Sequence, residues 1–376
     1  MTSDPDSAYG GDHPADHSAD RYAALRKRAE AIAAAGLTRR LVDLTPDSPV
    51  TARLSDGAQV LVFSSNDYLG LAHHPDVLAA WRGAGAGSSR LIAGSRPAHR
   101  ALEAALEARW GRPALVFSSG YQANLAVMTT LFTAGDVVGS DAMNHASIID
   151  GLRLSRAERR VLPHGDPGPT DLRAVIIEGL YSMDGDVPDF RTYATGGERW
   201  LVVDEAHAVG ALGPGGRGAA AAAGVRPDVI TGTFGKSYGA AGAFVIGPPE
   251  LKRLLISAGR SFVYTTALAE PAALAAAAGL AAADDERRER LADRTARFRR
   301  GLAELGLPTR GDAHVVPVLT GPRTMEKAAK LLDMGIFVPG IRAPTVPPGE
   351  ERLRFSLSTE HSPAQIDRAL EALSRC

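Results

Sequence analysis

Asp204, His207 and Lys236 are the residues of this chain whose types and order could carry covalent chemistry. Lys236 sits in Thr231–Gly239, TGTFGKSYG, closely after the apolar pair Val229 and Ile230. A lysine in a snug, partly dry pocket binds its proton less tightly, and the neutral amine can attack a carbonyl. Glycines at 232, 235 and 239 let backbone and ligand approach closely, while Thr233 and Ser237 offer hydroxyls to an anion. Alone, this lysine reads equally as a solvated loop residue. The upstream stretch LVVDEAHAVG (201–210) adds a carboxylate, Asp204, at the end of an apolar run, and an imidazole, His207, three residues later.

An acid, an imidazole and a lysine in that order suit a pyridoxal cofactor. The lysine forms a Schiff base, and a carboxylate paired with the pyridine nitrogen keeps it protonated, so that the ring can act as an electron sink. That pairing is strong only in a dry site, where each charge favours the other's charged form. Imidazole can hydrogen-bond the phenolic oxygen. For the phosphate, the run ALVFS (114–118) followed by SGYQAN predicts a strand and then a helix running through Thr130. A helix N-terminus there presents free N–H groups and a positive dipole end. Gly120, Tyr121 and the Thr233 hydroxyl are therefore candidate phosphate ligands, although the same turn also reads as an ordinary strand-to-helix connection. His145, just before a helix starting near Ala146, is either a ring that stacks on the cofactor or a hydrogen-bonding core group. Ser182 and Asp184 fall in the loop after a strand at 174–178. GAGAGSSRLIAGS (83–95) lacks the Lys-Ser/Thr ending of a P-loop and reads as a flexible binding loop.

These residues need a frame. Short β runs at 59–64, 114–118, 136–139, 174–178, 201–203, 229–231 and 242–246 alternate with helical stretches. The alternation predicts a doubly wound α/β domain, mostly parallel, over 51–272, with the ligand crevice at the strands' carboxyl ends. One long helix, Ala267 to Leu305, is expected to link it to a smaller α+β domain within 273–376. That domain draws on VVPVLT (315–320), a helix at 324–334, IFVP (336–339) and RLRFSLS (352–358). Tyr22 to Ala35 predicts an alanine-rich helix within a 21–50 segment, with Gly36 as its C-cap. Residues 1–20 have almost no apolar content and are expected to be disordered.

At 376 residues, with 45% hydrophobic and 23% charged side chains, the chain is an ordinary globular protein with material for a substantial core. Its 42 basic and 43 acidic residues nearly cancel, which argues against general attraction to nucleic acid or an anionic membrane. The sole cysteine, Cys376, excludes a disulfide framework and a cysteine metal site, and the histidine spacing calls for no metal. No long apolar span or secretory leader is read, so a cytoplasmic enzyme is expected.

The segments SNDYLGL, SSGYQAN, NHASIIDG, YSMDGD, VVDEAH, TFGKSYG and RAPTVPPGEERLRFSLS together resemble the α-oxoamine synthases, fold-type I pyridoxal-phosphate enzymes, from about residue 60 to the C-terminus. The resemblance implies that Lys236 carries the cofactor, Asp204 meets the pyridine nitrogen and His207 the phenolic oxygen. It places His145 against the ring, Ser182 beside the cofactor, and Arg354 as the clamp on an amino-acid carboxylate, a geometry that guanidinium suits. Arg342 and Thr345 match positions near the substrate. A homodimer is implied, with Thr265 or Thr266 reaching a second subunit's phosphate. The ending PTVPxGxxRLR is most similar to the branch that joins L-alanine to a pimeloyl thioester, either pimeloyl-CoA or a pimeloyl carrier protein, on the route to biotin. Sister branches use glycine and other acyl-CoA donors. A catalytically dead pyridoxal-fold binding protein is the contrasting class, and the intact Asp204, His207 and Lys236 argue against it.

Overall fold

The computed structural model describes residues 22–39, 41–193 and 197–376; the expectation of disorder over 1–20 lies outside these. Its centre is a seven-stranded sheet in the order Ala114–Phe117, Ala243–Ile246, Val229–Thr233, Trp200–Asp204, Ala174–Glu178, Val137–Asp141 and Glu158–Leu162. Only Ala243–Ile246 runs against its neighbours, so the carboxyl ends of the other six open along one edge. The architecture is the mainly parallel α/β fold expected.

Central strands such as Ala174–Glu178 are buried along their whole length, as strands covered on both faces must be. Alternate residues enter opposite cores: Val175, Ile177, Val203 and Ile230 join one apolar cluster, while Ala174, Ile176, Val202 and Val229 join the other. On one face the helices Gly120–Leu131 and Ala146–Ser155 lie together, and the close approach needs Gly151. A Cβ at Gly151 would meet the Met128 Cβ at 2.7 Å and the Asn124 carbonyl oxygen at 3.4 Å. This contact fixes two helix N-termini, those beginning at Gly120 and Ala146, beside each other at the sheet's carboxyl edge.

The C-terminal sheet orders Val315–Leu319, Arg352–Ser356 and Gly340–Ile341, all antiparallel. Helices Thr324–Asp333 and Pro363–Ser374 accompany it, the latter started by a Ser362/Gln365 capping box. Strands Thr45–Ser48, Thr51–Arg53 and Gln59–Val62 form a further sheet closed by Ile336–Phe337. By pairing, residues 51–62 therefore join the C-terminal part of the chain rather than the large sheet. The single linking helix expected over 267–305 is two helices, Glu270–Ala282 and Asp285–Glu304. Asp284 breaks it by leaving helical geometry (φ −95°, ψ 172°) and accepting from the Arg287 amide as an N-cap.

The helix Ala23–Ala34 belongs to a separate unit ending at Leu44, and all its residues are solvent-exposed. It ends at Gly36 (φ 65°), as expected, with Gly36 and Leu37 amides returning to the Ala33 and Ile32 carbonyls. No described helix is long and apolar enough to cross a membrane.

One ion pair ties the C-terminal sheet to the loop after Ala174–Glu178. Arg352 is fully buried and Asp184 nearly so, and they meet at 2.6 Å, with the Met183 carbonyl at 3.2 Å. Arg352→Met strands a buried carboxylate with only the half-exposed Arg310 at 3.1 Å for company. A loss of about 3 kcal/mol in urea unfolding is expected; less than about 1 kcal/mol would contradict this role.

Candidate active site

A cavity of about 240 Å³ opens at the carboxyl edge of the large sheet, lined by Gly120, Tyr121, His145, Asp204, His207, Thr233 and Lys236. Seven residues singled out from sequence thus meet in one place. They come from distant parts of the chain, but each ends or follows a strand whose carboxyl end faces the same edge. Asn66, Asn124, Ser147 and Glu178 complete much of the wall.

Asp204 is the most tightly held. Its Oδ2 accepts from Asn124 Nδ2 at 2.7 Å, and its Oδ1 from the Ala206 amide at 3.0 Å. Asn124 is itself oriented, because Thr231 Oγ1 donates to its Oδ1 at 2.8 Å and its amide also donates to Ser147 Oγ at 2.9 Å. A buried polar network with its members satisfied is rigid, so the carboxylate is fixed before any ligand arrives.

Lys236 shares this cavity. Burial pulls its ammonium below the ordinary lysine range; Asp204 and Glu178 oppose that shift, and Arg354 adds to it. Glu178 pairs in register with Asp204 on the neighbouring strand. Its carboxyl is pushed well up by burial, and secondarily by Asp204. The site thus has a fixed carboxylate, a second carboxyl that favours its neutral form, and an amine that gives up its proton more readily than a surface lysine.

His207 is buried, and desolvation first, then nearby cationic groups, hold it neutral well below the usual imidazole range. Its Nδ1 lies 2.6 Å from the Tyr68 hydroxyl. Burial pushes that phenol up to about 12, so it keeps its proton. The Tyr68 hydroxyl donates to Asn66 Oδ1 at 3.0 Å as well as meeting His207 Nδ1, so the imidazole is held in place by a buried, oriented partner. Arg354 closes this side: Nε donates to the Ser182 carbonyl at 2.5 Å, one terminal nitrogen to Ser356 Oγ at 3.0 Å and the other toward Asn66 Oδ1 at 3.4 Å. Tyr68→Phe would keep the ring and strip His207 Nδ1 of its partner. Stability is expected to fall by about 1–2 kcal/mol in urea unfolding, the cost of a buried polar atom left unpaired. An unchanged midpoint would contradict the assignment.

At the opposite lip, Ser119 caps the helix Gly120–Leu131 by accepting from the Gln122 amide at 3.3 Å. His145 caps the next helix through its Nδ1, which accepts from the Ser147 amide at 3.2 Å, and its ring meets Tyr121 edge-on at 6.2 Å. The Tyr121 hydroxyl is turned to Asp150. Thr233 Oγ1 donates to the Gly242 carbonyl at 2.9 Å and accepts from the Gly235 amide at 3.1 Å, so its proton is already committed. Four expected residues lie outside the lining: Arg354, which reaches the wall only through Asn66, and Ser182, Arg342 and Thr345. Ser182 contributes its carbonyl to Arg354, and Arg342 and Thr345 occupy the loop before Arg352, where the Thr345 amide bonds the Arg342 carbonyl at 3.0 Å. Thr265 Oγ1 accepts from Gln122 Nε2 at 3.3 Å.

The donor set fits pyridoxal phosphate. An amine with a weakened hold on its proton can bond an aldehyde, a braced carboxylate can pair with a ring nitrogen, and two adjoining helix N-termini can receive an anion. Asn124, Tyr68 and Glu178 had not been singled out as site residues; Asn124 and Tyr68 were visible only inside SGYQAN and SNDYLGL, and Glu178 only as the last residue of AVIIE.

The family model for aminotransferase class I and II matches residues 58–373. A putative 8-amino-7-oxononanoate synthase of Desulforudis audaxviator (strain MP104C) is 42% identical over 376 residues, covering 93% of this chain and 98% of the relative. A high-resolution structure of SPT with PLP superposes with a TM-score of 0.86 at 30% identity, covering 96% of this chain and 98% of the other. The 8-amino-7-oxononanoate synthase of Francisella tularensis superposes with a TM-score of 0.74 at 28% identity, covering 84% and 97%.

Proposed function

Because the chain belongs to the aminotransferase class I and II family, in its branch of 8-amino-7-oxononanoate synthases, we propose that it joins L-alanine to a pimeloyl thioester. The new carbon–carbon bond forms between the alanine Cα and the acyl carbon; the thiol leaves, the alanine carboxylate departs as carbon dioxide, and a proton returns to Cα. Pyridoxal phosphate is the cofactor, and when bound it supplies an electron sink for the electron pair left on Cα.

The chain's residues do the rest. Lys236 would hold the cofactor through Nζ, and as a free amine it would take the proton from Cα. Burial suits it to this, since an amine already protonated could not accept one. Asp204 would pair with the ring nitrogen, and His207 would hydrogen-bond the phenolic oxygen. Gly120 and Tyr121, with the Thr233 hydroxyl as an acceptor-bound neighbour, receive the phosphate, and His145 covers the ring. Arg354 receives the amino-acid carboxylate, with Arg342 and Thr345 reaching the substrate from their loop and Ser182 steadying Arg354. A cytoplasmic homodimer, with Thr265 or Thr266 serving a second subunit, is part of this reading.

The observation that carries the proposal is the shared cavity of Lys236 and the braced Asp204. A product assay tests it, with alanine or glycine offered against pimeloyl-CoA, a pimeloyl carrier protein and shorter acyl-CoAs. Condensation with alanine and a pimeloyl donor is expected to exceed every glycine combination by at least about 10-fold, a discrimination of the size one methyl group allows. Preference for glycine or a short acyl donor would reject it.

A further inference from the structure

Two residues beyond the edge strand Glu158–Leu162, His164 lies between acidic side chains from two different parts of the fold. Its Nδ1 is 3.1 Å from both oxygens of Asp141, the last residue of the neighbouring strand Val137–Asp141. Its Nε2 is 2.8 Å from Asp186 Oδ2, in the loop after Ala174–Glu178. Carboxylates only accept, so both ring nitrogens carry hydrogen, and an imidazole with two N–H groups is a cation. Asp141 first and Asp186 second push the ring up to about 10, against the cost of burial. The Tyr181 ring meets it edge-on at 4.5 Å. The Tyr181 and Tyr193 phenols are pushed up by burial and stay neutral, and Asp166, two residues on, is turned to the Gly168 amide at 2.8 Å.

Each of the two carboxyls fixes a segment that serves the catalytic cavity. Asp141 is buried, and its oxygens also accept from the Met143 amide at 2.8 Å and the Gly165 amide at 3.1 Å. That turn runs through Asn144, whose side chain donates to the Ile176 carbonyl at 2.8 Å, directly into His145. Asp186 closes a tight loop: its carbonyl accepts from the Tyr181 amide at 3.1 Å, and the Gly185 amide returns to the Tyr181 carbonyl at 2.8 Å. Within this loop is Ser182, whose carbonyl receives Arg354 Nε. The C-terminal sheet holds the loop through Arg352 and Asp184. His164 holds it from the large sheet, and Asp186 Oδ1 has no partner among the described residues.

We propose that His164 is a positioning residue for the amino-acid substrate: as an imidazolium it ties the turn that carries His145 to the loop that aims Arg354, and so sets the gap between the group covering the cofactor ring and the carboxylate clamp. It touches neither cofactor nor substrate, being outside the lining of the cavity. The inference rests on the reading that Arg354 receives the amino-acid carboxylate.

Two readouts on the pyridoxal-phosphate-loaded protein test it. With nitrogen-15 histidine incorporated, the His164 ring is expected to keep both N–H groups at about pH 8, where an ordinary imidazole has lost one; its signal is assigned from its loss in His164→Gln. Affinity for the amino acid is read from the change in cofactor absorption as L-alanine or glycine is titrated without an acyl donor. His164→Gln offers an amide N–H to one carboxyl and an oxygen to the other, and is expected to weaken L-alanine at least about 10-fold at unchanged cofactor content, the scale of a small misplacement of a positioning group. Asp186→Asn should do the same, and combining the two should cost little more than either, since both break one link. A protein that prefers glycine would fail the proposed function alone, because the same losses are then expected for glycine. The inference is overturned by a ring that is neutral at about pH 8, by affinity within about 3-fold of wild type in both variants, or by losses that multiply in the double variant.

Discussion

Lys236→Ala is expected to lower kcat by at least about 10³-fold, because one residue supplies both the covalent hold on the cofactor and the base that takes the Cα proton. General-base catalysis alone is worth roughly 10² to 10⁴, and loss of the covalent attachment adds to that. Alanine removes the amine without enlarging any contact in the wall, and its neighbours Phe234, Ser237 and Tyr238 are buried and hold the loop in place. Overall stability should therefore change little, which separates loss of chemistry from loss of fold. The visible absorption of a lysine Schiff base should disappear in the same variant, even though Asp204 and the helix N-termini still bind the cofactor non-covalently. Turnover at the wild-type rate would show that another group does the work assigned to this lysine.

Asp204→Asn is the second large effect, with kcat expected to fall roughly 10²- to 10³-fold, the range seen when one preorganised electrostatic partner is removed. The substitution is nearly isosteric, yet it fails in two ways. A neutral amide cannot stabilise a protonated ring nitrogen in a dry site. It also cannot satisfy its own protein partners, since both oxygens of Asp204 accept, one from Asn124 and one from the Ala206 amide. Asn124 cannot turn round to help, because Thr231 donates to its oxygen. One donor must face another, or the side chain must rotate out of place. Steady-state kinetics with saturating cofactor measures the effect. A variant within about 5-fold of wild type would mean that the carboxylate does not face the reacting ring.

The chemistry-bearing residues were legible in the sequence because strand ends in a parallel sheet converge. Once 174–178, 201–203 and 229–231 read as strands, Asp204, His207 and Lys236 had to approach the same edge. The second tier was not legible. Nothing local marks Asn124 as the brace of Asp204 or Tyr68 as the partner of His207, since both contacts join residues far apart in the chain. The edge strand Glu158–Leu162 was missed because ERRVL carries the charges that protect an exposed sheet edge and so lacks the apolar run of its neighbours. The hairpin Thr45–Arg53 was missed for a similar reason, being short, polar and largely exposed. Asp284 carried a readable signal, an N-cap residue ahead of an acidic first turn, but the continuous alanine-rich run around it masked the break.

A crystal structure of the protein loaded with pyridoxal phosphate bears most directly on the central claim, that the amine at 236 and the carboxylate at 204 hold opposite ends of one ring. The expected density joins Lys236 Nζ to the cofactor's aldehyde carbon, with the ring nitrogen within hydrogen-bonding distance of an Asp204 oxygen. Density for the cofactor attached elsewhere, or with its nitrogen turned away from Asp204, would contradict the account.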